Sequence, residues 1–258
     1  MLEFDEDTTR LLDQVYAGSD FAARRRVSFD ALRVRPGDTV VDIGCGNGLM
    51  LPDLARAAGT EGQVIGVDPS DQMRASAQSR CAGLPGVILK SGTAADLPVE
   101  DTTADRALSV QVFEYIADIP PCLAEVARVL RPGGRLVIAD MHFGTFCWHS
   151  DDPDRMAAMM ASWEQHAAHL DAPALLPGMM VQAGFEVEEV RTITLCDHLL
   201  RPDGLARAMI SLMAAYAKKE KHLSEADVDA WAEEQTHLAR AGRFFFSLTH
   251  YVTVARRI

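Results

Sequence analysis

The chain has 258 residues, 48% hydrophobic and 24% charged, a composition typical of globular proteins, and its length allows one large domain. With 25 Lys and Arg against 37 Asp and Glu, the formal net charge is −12. This charge weighs against a sequence-independent grip on nucleic acid, which needs concentrated positive charge. No apolar run approaches the roughly 18 uncharged residues of a spanning helix. We therefore expect neither a nucleic-acid partner nor a membrane span.

The N-terminus and the cysteines indicate the compartment. The first ten residues, MLEFDEDTTR, are acidic and lack the basic-then-apolar layout of a secretion signal. The five cysteines are odd in number, widely spaced and include no CxxC pair. That pattern favours neither a disulfide framework nor a zinc site. We predict a cytoplasmic protein.

Aliphatic runs alternate with helical stretches up to about residue 140. Strands are predicted at 39–44, 63–68, 86–90, 105–110 and 135–140, with helices at 51–58, 69–83 and 118–134. Strands that are apolar throughout, each followed by a helix, indicate a parallel sheet covered on both faces. The expected fold class is therefore α/β, with a doubly wound, mostly parallel, Rossmann-like sheet.

Beyond residue 140 the pattern adds two strands, at 184–195 and 244–257, for a total of seven. A helix capped by Asp151 or Asp152 carries an apolar stripe from Met156 to Leu170, and two further helices span 205–218 and 224–241. The last two helices lie in a long connection between two strands. Because such connections tend to be lids or binding elements, we predict that these helices form a lid. We expect a single domain: N-terminal helices in 1–36, a core in 37–140, and a substrate and lid region in 141–258 with its helical insertion at about 200–243.

The segment VVDIGCGNG, residues 40–48, brings a strand into a glycine turn at a helix N-terminus, which is a ligand site in open parallel sheets. Leu49 stands where a dinucleotide fingerprint requires its third glycine, and no Lys-Ser/Thr follows as in a P-loop. The second strand ends at Asp68, whose carboxylate can accept hydrogen bonds from both hydroxyls of a ribose. Together these features indicate an adenosine-bearing ligand without phosphates.

Four segments carry a family resemblance: VVDIGCGNG, VIGVDPSDQM, SGTAADLPVEDTTAD and VARVLRPGGRLVIAD. In this order they resemble the successive motifs of class I S-adenosylmethionine-dependent methyltransferases. They are most similar to the ubiquinone/menaquinone-biosynthesis-like branch that acts on small molecules. The resemblance covers about residues 33–140 and fades afterwards. It implies S-adenosyl-L-methionine as the cofactor and a small-molecule methyl acceptor as the partner.

The resemblance also implies a donor site. The glycines would line the methionine and ribose portion, Asp42 would lie near the amino group, and Asp68 would hold the ribose. Met73 would cover the adenine, and a threonine stands at 93 where many relatives have aspartate. Two residues of the N-terminal helices would close the pocket. The implied donor-binding residues are Asp42, Gly44, Gly46, Gly48, Asp68, Met73, Thr93, Ala94, Gln111, Tyr16 and Arg26.

The chemistry implied by the resemblance needs few protein groups. Methyl transfer from a sulfonium depends on positioning and on exclusion of water, and a general base matters only when the acceptor must lose a proton. The candidate catalytic residues are Tyr115, His142 and His149, the histidines lying just past the fifth strand. Met209, Leu212, Met213 and Tyr216 are candidates for the roof over an apolar substrate. His166 and His169, without a nearby carboxylate or cysteine pattern, do not favour a metal site.

Alternatives remain open at this point. The acceptor atom is expected to be oxygen or carbon of an aromatic or other apolar metabolite, with nitrogen third and little support for a thiol or arsenic. A different class of function is a donor-binding protein that does not methylate, such as a sensor or an assembly partner. A dehydrogenase is the third hypothesis, disfavoured by Leu49.

Overall fold

A computed structural model describes residues 18–258. The strands are β1 Thr39–Ile43, β2 Gln63–Val67, β3 Val87–Lys90, β4 Ala104–Val110, β5 Leu130–Met141, β6 Cys147–Trp148, β7 Phe185–Asp197 and β8 Phe246–Arg257. The helices are α1 Ser19–Leu32, α2 Leu51–Ala58, α3 Asp71–Arg80, α4 Ile119–Val129, α5 Pro153–Trp163, α6 Ala172–Gln182, α7 Leu205–Lys219 and α8 Glu225–Arg240. None of the helices in this part of the chain combines the length and apolarity that crossing a bilayer requires.

The strands form one sheet in the order β3-β2-β1-β4-β5-β8, with β7 and the short β6 both pairing with β8. Strands β1 to β5 are parallel, and β8 is antiparallel to its neighbours. The predicted α/β, Rossmann-like fold class is confirmed. The sheet has eight strands rather than seven, because Cys147 and Trp148 pair with Ser247 and Phe246. A two-residue strand is too short to show a periodic pattern in the sequence.

The sheet is covered on both faces, and a third apolar cluster lies over one end. One face packs against α1, α2 and α3, and the other against α4 and α6. The third cluster joins α5, α7 and α8 to the ends of β7 and β8, with Trp231 and Met213 buried inside it. The carboxyl ends of β1, β2 and β4 lie side by side, since Ile43 is in register with Val67 and Ser109.

Helix α6 was not predicted. Its Pro173 lies in the first turn and Pro177 in the interior, and proline disfavours a helix in sequence-based reasoning. The helix forms because Leu176 and Met180, four residues apart, are buried against the sheet. Tertiary packing outweighs local propensity here.

Helix α5 is shorter than its predicted apolar stripe. It ends at Trp163 and continues as a short 3₁₀ turn, Glu164–His166. The carbonyl oxygen of Trp163 accepts a hydrogen bond from the His166 ring, and the Glu114 carbonyl oxygen accepts the N–H groups of Ala168 and His169, both at 2.9 Å. These contacts turn the chain toward the end of the sheet, so His166 and His169 do not share a helix face.

The helical insertion is tied to α1. Asp20, which is buried, accepts from Arg201 Nη2 at 2.8 Å and from the backbone N–H of Leu205 at 2.7 Å. Leu205 is the first residue of α7, so the carboxylate also lies at the positive end of that helix. The insertion is therefore anchored over the carboxyl ends of the strands.

Candidate active site

A cavity of about 390 Å³ opens at the carboxyl ends of β1, β2 and β4. One end is formed by the glycine turn and by polar side chains that follow these strands. The other end is apolar and aromatic and lies beneath the insertion. The residues of the first end include Asp42, Gly44, Gly46, Asp68, Met73, Thr93, Ala94 and Gln111, and those of the second include Tyr115, Phe143, Trp163, His166, Leu205, Met209 and Leu212.

The three glycines of the turn serve different purposes. At Gly44 (φ +68°) a Cβ would lie 2.4 Å from Val112 Cγ2, so close approach of the segment that follows β4 requires glycine. At Gly46 (φ +53°) a Cβ would meet nothing within 4 Å, and the residue lines the cavity. At Gly48 a Cβ would lie 2.8 Å from the Cβ of Ala77, and the residue does not line the cavity. Gly48 therefore serves helix packing, whereas Gly46 leaves open space for a ligand.

Asp68 spans the turn at the end of β2. Its Oδ2 accepts the N–H of Gly46 and its Oδ1 accepts the N–H of Ser70, each at 2.9 Å. Burial raises the pKa of Asp68, and the hydrogen bonds from Ser70 and Gly46 oppose that rise. Each carboxylate oxygen makes one such bond and can accept a second, so the side chain can receive two ligand hydroxyls.

Asp42 lies beneath the turn as the most buried carboxylate of the polar end. Burial, together with the nearby charge of Asp68, raises its pKa to about 7. A cationic group in the cavity would favour its ionised form. Cys45 also lines the cavity, but burial raises the pKa of its thiol well above the usual range, so the sulfur stays protonated and is not a nucleophile.

The segments after β2 and β3 supply a further wall. Met73 is buried one turn into α3, whose N-cap Ser70 accepts the Met73 N–H at 3.3 Å. Thr93 and Ala94 line the cavity beside it. The Thr93 and Asp96 backbones pair with each other, with N–H to oxygen distances of 3.3 and 3.2 Å, so this segment is held as a tight turn.

The residues predicted to close the pocket are distributed differently in the structure. Gln111 (φ +56°) lines the cavity, and its Oε1 accepts from Arg24 Nη2 at 2.7 Å. Arg26 does not line it: the side chain is 74% exposed and donates to Asp30 at 2.9 Å. Arg24 occupies the cavity wall instead, with its guanidinium 4.4 Å from the ring centre of Phe21. Tyr16 lies outside the described residues.

Of the three catalytic candidates, only Tyr115 lines the main cavity. His142 lines a smaller cavity of about 150 Å³, and its Nδ1 accepts the N–H of Gly144 at 3.2 Å. His149 lies on neither cavity: its Nε2 is 3.6 Å from Asp151 Oδ1 and its side chain is 44% exposed. Both histidines follow β5 as expected. His142 lies between two residues that line the main cavity, Met141 and Phe143, but does not line it itself, and His149 lies farther along, where the chain has left that cavity.

The imidazole at the apolar end belongs to His166. Its Nδ1 contacts the carbonyl oxygen of Trp163, and its Nε2 is buried without a hydrogen-bond partner in residues 18–258. Burial lowers the pKa of His166 to about 4, so the ring is neutral at physiological pH. Because a carbonyl oxygen only accepts, Nδ1 carries the proton and Nε2 keeps a free lone pair.

Two buried acids lie near each other at the cavity: Glu114 lines it, and Asp140 does not. Glu114 Oε2 accepts the Met141 N–H at 3.2 Å, and Asp140 Oδ1 accepts the Val112 N–H at 3.0 Å. Burial raises the pKa of both, and the charge of Asp140 raises that of Glu114 further. We expect the pair to hold at least one proton at neutral pH.

The sequence analysis missed several residues that line the cavity. One of them, Arg24, could have been found from the spacing of its neighbours. Phe21 and Arg24 are three residues apart on α1, and Ser28 follows four residues later and is fully buried. This helical spacing marks the inward face and assigns Arg24, rather than Arg26, to it. His166 had no comparable signal, because its approach to Tyr115 depends on the 3₁₀ turn after α5.

Comparisons with known proteins place the chain in a family. The family model described as "Methyltransferase domain" matches residues 41–138. An uncharacterized 37.1 kDa protein in transposon TN4556 of Streptomyces fradiae is 33% identical over 260 residues, covering 97% of this chain and 71% of that protein. The demethylmenaquinone methyltransferase of Symbiobacterium thermophilum is 37% identical over 130 residues, covering 49% of this chain and 51% of the relative. The chain thus matches about half the length of that quinone enzyme.

The fold has solved counterparts as well. The YcgJ protein of Bacillus subtilis superposes with a TM-score of 0.63 at 19% identity, covering 92% of this chain and 98% of that one. Fold and cavity define an α/β protein with a ligand site at the carboxyl ends of its parallel strands. The chain belongs to the class I S-adenosylmethionine-dependent methyltransferases. The predicted family, the enzyme class and the cofactor are confirmed.

The residues of the polar end fit S-adenosylmethionine. The bare backbone at Gly46 leaves open space where a Cβ would otherwise project. The Asp68 carboxylate suits a ribose diol, and Asp42 suits a cationic amino group. No residue pattern of a diphosphate clamp is present in VVDIGCGNG, in agreement with a donor that has no phosphates.

Proposed function

We propose that the chain transfers the methyl group of S-adenosylmethionine to oxygen or carbon of a small, apolar, ring-bearing metabolite. The observation that carries this proposal is the continuity of one cavity from the glycine turn to an aromatic end lined by Tyr115, Phe143 and Trp163. The bound donor supplies an electrophilic methyl group on a cationic sulfur. The protein's part is to align the acceptor and to exclude water.

We assign donor binding to the polar end. Asp68 holds the ribose hydroxyls, Asp42 faces the amino group, and Met73 covers the adenine. Thr93, Ala94 and Gln111 complete the wall, and Gly44 and Gly46 give the backbone room. Arg24 on α1 fixes Gln111 through its 2.7 Å hydrogen bond. In this proposal Gly48 supports the turn through packing.

We assign acceptor binding to the apolar end. Met209 and Leu212 of α7 form its roof, and the aromatic rings of Tyr115 and Phe143 form its walls. Ring faces of this kind bury a planar apolar acceptor without requiring charge. All five cysteines are free, which supports a reducing compartment, and we propose the cytoplasm.

The test combines binding and turnover. Titration calorimetry should show that S-adenosylmethionine binds, and tritium from its labelled methyl group should appear in an organic extract when phenols or naphthols are supplied. Binding without transfer to any acceptor would contradict methylation and favour a donor-binding sensor or assembly protein. Binding of nicotinamide dinucleotide in place of S-adenosylmethionine would instead revive the dehydrogenase hypothesis.

A further inference from the structure

The sheet is left open on part of one face in residues 18–258. Every second residue of β7 from Val190 to Cys196 is exposed, and the residues that pair with the last three of these on β8 are half-buried. The β8 residues that alternate with them, such as Val252, pack on the face that α1 covers, so this row points to the opposite face. We call this surface the open strip; its residues are Val190, Thr192, Thr194, Cys196, Ser247, Thr249 and Tyr251.

Helix α6 lies next to the open strip on the same face of the sheet. It packs in one cluster with Ala255, which is two residues beyond Thr253 on β8 and therefore points the same way. The other side of the helix is exposed at Ala174, Gly178 and Val181, whose spacing of four and three residues places them on one helix face. The helix thus forms a ridge about 10 Å high beside a strip that the described residues leave uncovered.

Neither the ridge nor the strip carries a charged side chain. Residues 172–185, which include α6, contain no Asp, Glu, Lys or Arg, and neither does the open strip. Val181 is 60% exposed and Val190 is 45% exposed, so both surfaces present apolar side chains to solvent. A helix that is apolar on all sides is normally buried, and depletion of charge distinguishes the core of an interface from other surface. In a chain with 24% charged residues, this combination indicates a surface that another protein covers.

We propose that this surface binds a second copy of the same chain about a two-fold axis, with α6 of each copy lying on the open strip of the other. The strip is about 20 Å long and about 10 Å wide, and a helix of 11 residues is about 16 Å long and about 10 Å across. Two sheets that face each other about 20 Å apart therefore hold both helices side by side in one layer. The inference is independent of the proposed function.

The charge of the chain favours a second copy as the partner. Two copies with a net charge of −12 repel each other wherever acidic side chains meet, and contact through α6 and the open strip avoids such meetings. A two-fold contact also needs a surface that complements itself, and hydroxyl groups do so because each one donates and accepts. Thr194 and Thr249 already pair in this way, with 3.0 Å between their Oγ1 atoms. An anionic membrane surface is disfavoured, since α6 brings no Lys or Arg to it.

The first test is the mass of the full chain in solution. Sedimentation equilibrium at about 50 µM should give twice the chain mass of 28.2 kDa, because standard-size interfaces have micromolar or lower dissociation constants. Val181→Lys and Thr194→Lys each place a charge from both copies in the contact and should raise the dissociation constant about 100-fold or more. Thr60→Lys, exposed in the turn between α2 and β2, is the matched control and should remain a dimer. Circular dichroism and thermal unfolding check that the variants are folded.

The second test identifies the surface that is covered. The exposed cysteines are Cys196, which belongs to the open strip, and Cys147, which pairs with Ser247 at its border. Dithionitrobenzoate should react with these thiols about 10-fold more slowly in wild type than in Thr194→Lys, because only the monomer presents them to solvent. A monomeric wild type would overturn the proposal, as would a dimer that survives both lysine variants or whose thiols react as fast as those of Thr194→Lys. Flotation of wild type, but not of Val181→Lys, with phosphatidylcholine vesicles would overturn it in favour of a membrane.

Discussion

Asp68 and Gly46 are joined by a hydrogen bond in which the Gly46 N–H donates to Asp68 Oδ2 at 2.9 Å. This bond connects the ends of β1 and β2 across the mouth of the polar end of the cavity. The acid thus fixes the glycine turn and presents its remaining lone pairs to the cavity. Both effects depend on the same carboxylate.

Replacing that carboxylate should weaken donor binding while the protein stays folded. Asp68→Ala removes a charged acceptor of two ribose hydroxyls, and we expect S-adenosylmethionine affinity to fall by about 100-fold in titration calorimetry. The matched control is Asp71→Ala at the first residue of α3, where the side chain is 94% exposed and does not line the cavity. Asp68→Ala with wild-type affinity would contradict the ribose assignment.

The glycines of the turn should respond differently to alanine. Gly46→Ala places a methyl group in open space, so donor affinity should fall, and the positive φ should cost about 1–2 kcal/mol of stability. Gly37→Ala (φ +87°) carries comparable strain with nothing within 4 Å and does not line the cavity, so its donor affinity should be unchanged. Equal losses of affinity in both variants would show that strain, rather than occupied space, is responsible.

Gly48→Ala should act on stability. Its methyl group would lie 2.8 Å from Ala77 Cβ and 3.0 Å from Ala77 Cα, and backbone cannot shift as a flexible side chain does. Together with the positive φ, this overpacking should lower the free energy of unfolding by about 2–4 kcal/mol in urea titrations. A Gly48→Ala variant of unchanged stability but weakened donor binding would show that Gly48 contacts the donor.

Asp42 predicts a pH dependence of donor binding. Its pKa of about 7 in the free protein lies above its ordinary value of 3.8, so the folded protein holds a proton there that the unfolded chain has lost. The contribution of Asp42 to stability therefore falls as pH rises from about 4 to about 7. A cationic ligand favours the carboxylate, so binding should release a proton, and affinity should rise from about pH 5.5 to about pH 8.

The proton release is measurable by calorimetry in buffers of different ionisation enthalpy. The control is Asp42→Asn, which has no ionisable proton: its affinity should be lower and flat over the same range. A wild-type affinity independent of pH would show that Asp42 does not contact the cationic group.

The link between Asp20 and Arg201 should hold the insertion in place. Arg201→Ala removes the guanidinium that contacts both Asp20 oxygens at 2.8 Å, whereas the Leu205 N–H still donates to Oδ2. Amides in the first turn of α7 should exchange about 5-fold faster or more, the effect of losing about 1 kcal/mol. Lys218→Ala, which removes an ion pair to Asp229 in the last turn of the same helix, should leave that exchange unchanged, and equal effects of both variants would contradict the anchor.

The polar end of the cavity could be predicted from the sequence because its signals are local. Strand, glycine turn and acid follow one another over a short stretch, and parallel register then brings Gly46 and Asp68 together without further information. Gly48 shows the limit of this reasoning. Its place in the glycine pattern suggests ligand contact, but only the packing of α3 shows that Ala77 occupies the space.

The apolar end of the cavity could not be predicted to the same extent because it is assembled from distant segments. His142 and His149 are close to β5 in sequence, yet His142 does not line the cavity although its neighbours Met141 and Phe143 do, and His149 lies where the chain has left it. His166 returns to the cavity only because α5 ends early and the Glu114 carbonyl holds the following residues. Neither cause has a periodic pattern in the sequence.

The structure of a crystal grown with S-adenosylhomocysteine tests the central assignment most directly. We predict both ribose hydroxyls within hydrogen-bond distance of Asp68, main chain alone beneath the sugar at Gly46, and the sulfur facing the end of the cavity that holds Tyr115 and His166. S-adenosylhomocysteine bound elsewhere would contradict the account. So would a crystal without bound ligand in which the protein's own side chains fill the cavity.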